Sequence, residues 1–419
     1  MGTGAFIKGK LFIQNTLFVA KNGVNATAKR NRWDKPYATI LEAKNNALPG
    51  DTIYVFPGTY NEGSADITAS DVQYFYEDGA LVQCNFEVIS DFTLAKNIWI
   101  DGAGTFQTLG INFAKAVVLT NNPSTTIYFR GKELIGRTNG FSSFALSSMD
   151  FHCDTISTDL QYGIFLSGNC QGTISFNYIE TQDAVGILVS NANTDLVRRK
   201  VFINGGLVRT RANGFSGANL YTLNSFNTEV HWSGITLEHH TGVAGGLIGL
   251  WSGFNYFLNC NGVSDLGYGV QAFSGASVNR FVNCNMDSDW LAFRSESSSQ
   301  NEIIGGVYAS SDDGQATRGA LVLSNTSECD IQGATFEQKS ADALPSIMQI
   351  NNSNLRMSNV KLIGSPTITE SIRSSAPQNI AVELQCTTNK PTNANITNVV
   401  AGTNVIVDAN VGRNSSTIY

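Results

Sequence analysis

Residues Trp33–Tyr60 read WDKPYATILEAKNNALPGDTIYVFPGTY, and their reading decides the fold. Thr39-Ile40-Leu41-Glu42 is a capping box: the Thr39 hydroxyl is placed to accept from the Glu42 amide, and the Glu42 carboxylate to reach back to Thr39. The spacing predicts a short helix over 39–48, with Ile40, Ala43 and Ala47 on one face and Leu41 and Leu48 beside them. Pro49-Gly50 stops it. Ile53-Tyr54-Val55-Phe56 is a β-rich run closed by Pro57-Gly58. A single amphipathic helix ahead of an otherwise strand-like chain suits a lid over the open end of a β-stack.

Outward from this stretch, a six-residue pattern recurs: apolar, any, Gly/Asn/Cys, any, any, apolar. It is clearest around Gly131, Cys153, Gly205, Gly234, Asn283, Gly333 and Asn359, and weaker around Gly102, Phe176, Asn259 and Gly305. Successive centres lie 22–29 residues apart. Such irregular steps suit a β-solenoid with variable loops; leucine-rich repeats share the period but demand leucines that are absent here. Inward residues would form apolar ladders, and the Asn or Gly would sit at a left-handed bend where an Asn side chain can bond to its copy on the next coil. The expected fold is all-β, a right-handed single-stranded parallel β-helix of about 11–13 coils with a short N-terminal capping helix and a β-rich C-terminal segment.

Composition narrows the function. Length alone, 419 residues, would suggest two or three domains, but a solenoid grows by repetition. Charged residues make up 15%, against roughly 25% in an average soluble domain. With 40 Gly and 42 Asn, the chain suits many turns and stacked polar ladders. A net charge of −7 argues against a nucleic-acid partner and against an anionic membrane surface. No apolar run approaches the ~18–20 residues that span a bilayer, so no membrane insertion is expected. The seven cysteines, odd in number and without CxxC or Cys/His spacing, read as small buried residues of a reduced protein, with no metal or cofactor expected. The N-terminus MGTGAFIKGKLFIQN lacks the charged and apolar regions of a secretory signal.

The stretch KPYATILEA…PGDTIYVFPGTYNE resembles the lead-in segment of right-handed parallel β-helix proteins of the pectate-lyase-like superfamily. The matching residues are Pro36, Thr39, Ile40, Ala43, Gly50, Asp51, Thr52, Ile53, Val55, Pro57, Gly58, Thr59 and Tyr60; Lys44 departs from the family's usual apolar residue. The resemblance implies that the helix caps the first coil and that Ile53 onward begins it. It implies little about activity, since this fold hosts many functions. The expected domains are residues 1–35 (two short strands, Ala5–Ile7 and Leu11–Ile13, then a lead-in loop), 36–365 (the β-helix with its helix) and 366–419 (a C-terminal cap or oligomerisation segment). Strands are expected there at Ile380–Leu384, Ile396–Val400 and Val405–Val407.

Asn193-Thr194-Asp195 reproduces the first short motif of polygalacturonases, but its companions are missing, and it reads as a loop. A lyase-like site would need several acidic residues on neighbouring coils. Glu238 and Asp287 each fall four residues after a repeat centre, two coils apart; Asp265 and Asp289 each fall six after theirs, on adjacent coils. These four are the candidate catalytic residues. Trp232, Trp251, Tyr268 and Trp290, from the same stretch, are the candidate glycan-stacking residues. The plainer alternative makes the carboxylates solvated turn residues and the tryptophans core or subunit contacts. His239 and His240 point oppositely if the segment is a strand, so they are read as turn residues and not as a metal pair. Arg198-Arg199-Lys200 reads as a solvated loop.

The lack of an export signal sets the chain apart from β-helices that act outside cells, and a virion protein released by lysis resolves that tension. The expected function is that of a bacteriophage tail-fibre or tailspike-like protein, made in the host cytoplasm without a signal peptide, that recognises a host surface polysaccharide as a homotrimer beside other tail proteins. The alternatives are a polysaccharide lyase or glycoside hydrolase, and a purely structural virion component.

Overall fold

The computed structural model describes residues 5–7, 10–12, 15–63, 68–69, 71–84, 88–89, 97–108, 111–113, 125–137, 139–143, 147–167, 170–182, 185–190, 198–211, 218–222, 228–240, 245–265, 267–273, 277–297, 300–311, 319–325, 327–340, 346–368, 370–374, 379–383, 386–388, 396–397 and 404–407. The chain is all-β, a parallel β-solenoid of about nine turns. It divides into two compact units, Met1–Glu180 and Thr181–Tyr419.

In the first unit, Ala5–Ile7 and Lys10–Phe12 form a small antiparallel pair. The solenoid ladder starts at Thr16–Val19, which pairs in parallel with Thr52–Val55, and that strand in turn with Val72–Tyr76. Between the first two lies the helix, Ile40–Asn45, shorter than the expected 39–48. Ile40 and Ala43 are buried, whereas Leu48 is exposed. Half of the capping box is present, with Thr39 Oγ1 accepting from Glu42 N at 3.2 Å. The first amides of the helix are taken instead by a remote carboxylate: Ile40 N and Leu41 N donate to Glu62 at 2.8 and 3.0 Å. A carboxylate satisfies two orphan N–H groups at once and is favoured at that end of a helix.

Each regular turn of the second unit has three strands. Thr228–Ser233, Thr236–His239 and Gly245–Leu250 make one; Gly253–Leu258, Asn261–Ser264 and Gly267–Ala272 make the next, paired with the first in parallel and in register. The first two strands of a turn meet at a residue with positive φ: Gly234 (63°), Asn259 (53°), Asn283 (50°), Gly305 (66°), Gly333 (67°) and Asn359 (53°). These are six of the expected repeat centres, and Gly and Asn are the residues that tolerate this conformation. At Gly131, Cys153, Phe176 and Gly205 the expected bend does not occur. Those residues lie inside the unbroken strands Thr125–Gly136, Ser147–Thr158, Gln171–Thr181 and Arg199–Thr210. The Cβ of Cys153 or Phe176 makes a left-handed bend costly there. The turns number about nine, fewer than the 11–13 coils expected.

Inward positions build continuous columns. Ile203, Trp232, Phe257, Phe281, Ile303, Ile331 and Met357 are partners on successive strands, all buried. The Phe257 and Phe281 rings stack at 4.8 Å. One inward column is polar: Asn255 Nδ2 donates to Asn279 Oδ1 and Asn279 Nδ2 to Asn301 Oδ1, each at 3.0 Å. This asparagine ladder lies in the interior, not at the bends. Cys153, Cys170, Cys260, Cys284, Cys329 and Cys386 are buried free thiols. Parallel pairing continues past residue 365: Asn379–Glu383 pairs with Asn354–Ser358, and Asn404–Val407 with Asn379–Glu383.

The exposed bend residue Asn283 gives a clean test of the left-handed requirement. Asn283→Val is expected to lower stability by roughly 1–2 kcal/mol, while Asn283→Gly stays close to wild type. Urea midpoints of the two variants measure this.

Candidate functional site

The second strands of the turns carry the candidate residues. Thr236–His239, Asn261–Ser264, Asn285–Ser288, Val307–Ser310, Thr335–Gln338 and Lys361–Gly364 pair in parallel, in that order. Their side chains alternate between core and outer face, as strand geometry requires. Leu237 and His239 are buried, and Thr236 and Glu238 face out. The outer face carries a groove of about 500 Å³, lined among others by Glu238, Asn261, Val263, Asn285, Asp287 and Glu337.

Register arithmetic places two of the four candidate carboxylates in that groove. Glu238 and Asp287 occupy one outward column, separated by Val263. At about 4.8 Å per strand they stand roughly 9.6 Å apart along the column. Asp265 and Asp289 occupy the next column at the strand ends, on adjacent turns: Asp265 N donates to His239 O and Asp289 N to Ser264 O, each at 3.1 Å. Ion pairs run within and between the columns. Arg209 donates to Glu238 Oε2 through Nε and Nη2 at 2.8 and 2.6 Å. His240 sits between Glu238, 3.5 Å from Nε2, and Asp265, 2.6 Å from Nδ1. Lys339 Nζ reaches Asp287 at 2.9 Å from two turns away. An amide pair runs alongside, with Asn285 Nδ2 donating to Asn261 Oδ1 at 2.7 Å.

His239 and His240 do point oppositely. His239 is buried with Nδ1 3.0 Å from Thr210 Oγ1, and His240 is at the groove. Arg209, His240, Glu337 and Lys339 were not among the candidates. Arg209 and Glu337 follow Gly205 and Gly333 by four residues, and His240 and Lys339 follow Gly234 and Gly333 by six, so the rule that found the carboxylates also finds them. Among the described residues, no group of three or more His, Cys, Asp or Glu is arranged to hold a metal ion.

The four aromatic candidates do not form one site. Trp232 is in the core at 1% exposure, parallel to Phe257 at 5.8 Å, and presents no face to a ligand. Trp251 is half-buried against Phe273 at 4.6 Å, past the far end of the third strands. Tyr268 and Trp290 meet edge to face at 5.3 Å at the corner where Asp289 leads into Trp290. Five residues of extended chain, roughly 17 Å, separate Tyr268 from Phe273 and hence from the Trp251 pair. Asn193–Asp195 lies outside the described residues.

A second polar cluster lies on the first strands. Phe202, His231 and Tyr256 stack outward on successive turns at 4.7 and 4.8 Å. Beside them the nearly buried Glu229 pairs with His231 Nε2 at 2.6 Å and Lys200 Nζ at 3.2 Å, while Arg198 lies 3.6 Å over the Phe254 ring. Arg198 and Lys200 are thus anchored cations and not a free loop. Burial opposes the charge on Glu229, but the His231 and Lys200 partners outweigh it and hold the carboxyl below the usual glutamate range.

No family model, curated protein or solved structure matches the chain. Among the described residues no helix is long and apolar enough to cross a membrane.

Two stability measurements check these placements. Trp232→Ala is expected to cost about 3–5 kcal/mol in urea unfolding, as removal of a large core side chain does, and Trp290→Ala far less. Because the Glu229 carboxyl is held low, its contribution is present above the usual glutamate range and is lost as pH falls through the lowered value. Glu229→Gln should therefore melt below wild type at pH 7 and converge with it in acid.

Proposed function

We propose that this chain recognises a polysaccharide on a host cell surface, as a tail-fibre or tailspike-like protein of a bacteriophage virion. The observation that carries the glycan reading is the groove on the second strands. It combines hydrogen-bond acceptors (Glu238, Asp287, Glu337), an amide pair (Asn261, Asn285) and the exposed apolar Val263; outside its lining, Trp290 is part-exposed where it packs edge to face on the buried Tyr268. Sugars ask for this mixture, since each ring has a polar rim and an apolar face. A few placed polar groups among apolar ones are the usual make-up of a small-molecule site.

The virion assignment rests on the resemblance of residues 36–60 to the pectate-lyase-like lead-in. In this reading the protein works as a homotrimer beside other tail proteins, and the segment 366–419 caps the solenoid or interlocks with neighbouring chains.

A second reading is favoured by one spacing. Glu238 and Asp287 stand on strands roughly 9.6 Å apart, just beyond the upper end of the carboxyl separation in inverting glycosidases, about 6.5–9.5 Å. A polysaccharide hydrolase or lyase acting in the same groove would use Glu238, Asp265, Asp287 or Asp289.

Light scattering is expected to give three 45.1 kDa chains per particle, and a monomer counts against the fibre. Depolymerisation assays on host capsule or cell-wall glycan separate the other two readings: binding without cleavage supports recognition. Cleavage abolished by Glu238→Gln or Asp289→Ala supports the enzyme.

A further inference from the structure

The outward column that contains Glu238 has a period of its own. On successive strands it runs Arg209, Glu238, Val263, Asp287, Ala309, Glu337, Ile363, with Ala309 buried. From Glu238 onward carboxylate and apolar residue alternate over six strands. Like groups therefore recur every second strand, roughly 9.6 Å. The solenoid repeats every turn, so nothing in the fold demands a two-turn period.

We propose that the groove binds an extended, uncharged polysaccharide whose chain runs along the stacking direction of the strands and whose groups recur at every second sugar. In an extended β-1,4-linked chain successive rings are flipped by half a turn. The same edge thus faces a flat surface once per disaccharide, as the same side-chain type does here. Ionised carboxylates are acceptors only, so they suit sugar hydroxyls. Val263, 48% exposed, offers an apolar face between two acid-bearing strands, and the Asn261–Asn285 pair runs beside it with both donors and acceptors.

Charge decides against acidic glycans. The face carries Glu238, Asp265, Asp287, Asp289 and Glu337, while Arg209, His240 and Lys339 are each already engaged with one or more of these carboxylates. A polyuronate would place like charges opposite each other, which suppresses association.

This inference rests on the glycan-recognition reading and refines its ligand. The test is calorimetric titration of the full chain with β-1,4-linked gluco- and manno-oligosaccharides of two to eight sugars, and with oligogalacturonates of equal length. Binding of the neutral series, with affinity rising in steps of two sugars, is expected. Asp287→Asn and Val263→Asp, both on the outer face, should each weaken it about tenfold. Equal or tighter binding of oligogalacturonates overturns this inference and leaves glycan recognition standing. Failure of both series overturns glycan recognition in this groove along with it. Neutral binding that neither variant weakens overturns the assignment to this column.

Discussion

In-register pairing of parallel strands ties each residue to the one at the same place on the neighbouring turn. A side chain on this solenoid belongs first to a column and only then to a strand. The core follows from this: Trp232, Phe257 and Phe281 stack because each occupies the position two before its bend. The bend also depends on it. From Gly234 onward a left-handed residue recurs at the same place on each turn, and Gly and Asn meet that demand at low cost; the unbroken strand Arg199–Thr210 before it pairs with both strands that flank Gly234. Gly306 shows how little room the register leaves, since a Cβ there would lie 1.9 Å from Cys284 O.

The same constraint explains what is legible in the sequence. Counting from the bend residue assigns a face to every neighbour, and it places Glu238 with Asp287 and Asp265 with Asp289 on shared columns before any coordinates are known. It also identifies Trp232 as a core residue, since Trp232 is the opening apolar letter of its own six-residue pattern; chemical type alone wrongly suggests a stacking surface. Loop positions carry no such rule. The split of the aromatic candidates into a Tyr268–Trp290 pair and a Trp251–Phe273 pair depends on which end of the third strand each one flanks. Long-range partners are equally silent in sequence: nothing near Ile40 announces that Glu62, 22 residues on, takes its amide proton.

Where the repeat loses its bend, the sequence misleads for a physical reason. The six-residue pattern at Cys153 and Phe176 keeps the apolar spacing of the later turns, so the strand still has a core face. What it lacks is a residue able to adopt positive φ. Apolar spacing and bend chemistry are separate requirements: they coincide at Asn259 and Gly333, where the strand breaks, and also at Gly131 and Gly205, where it runs on, so their coincidence permits a break without imposing one.

A repeating surface suits some functions better than others. Two carboxylates that divide the work of acid and base need unlike surroundings. Glu238 and Asp287 have similar ones: both face outward from the same column, both are part-exposed, and each is held by a basic side chain. Recognition of a polymer makes the opposite demand, that equivalent groups return at a fixed distance, and the in-register column supplies it without further design. His240 departs from equivalence on this face: it joins Glu238 to Asp265, whereas Asp265, Asp289 and Ser311 hold its position on the next turns and a base returns at Lys339. In the proposed glycan reading, the Glu238–His240–Asp265 corner is where unlike groups meet, and the long acid-and-apolar column beyond it is where a repeating chain would lie.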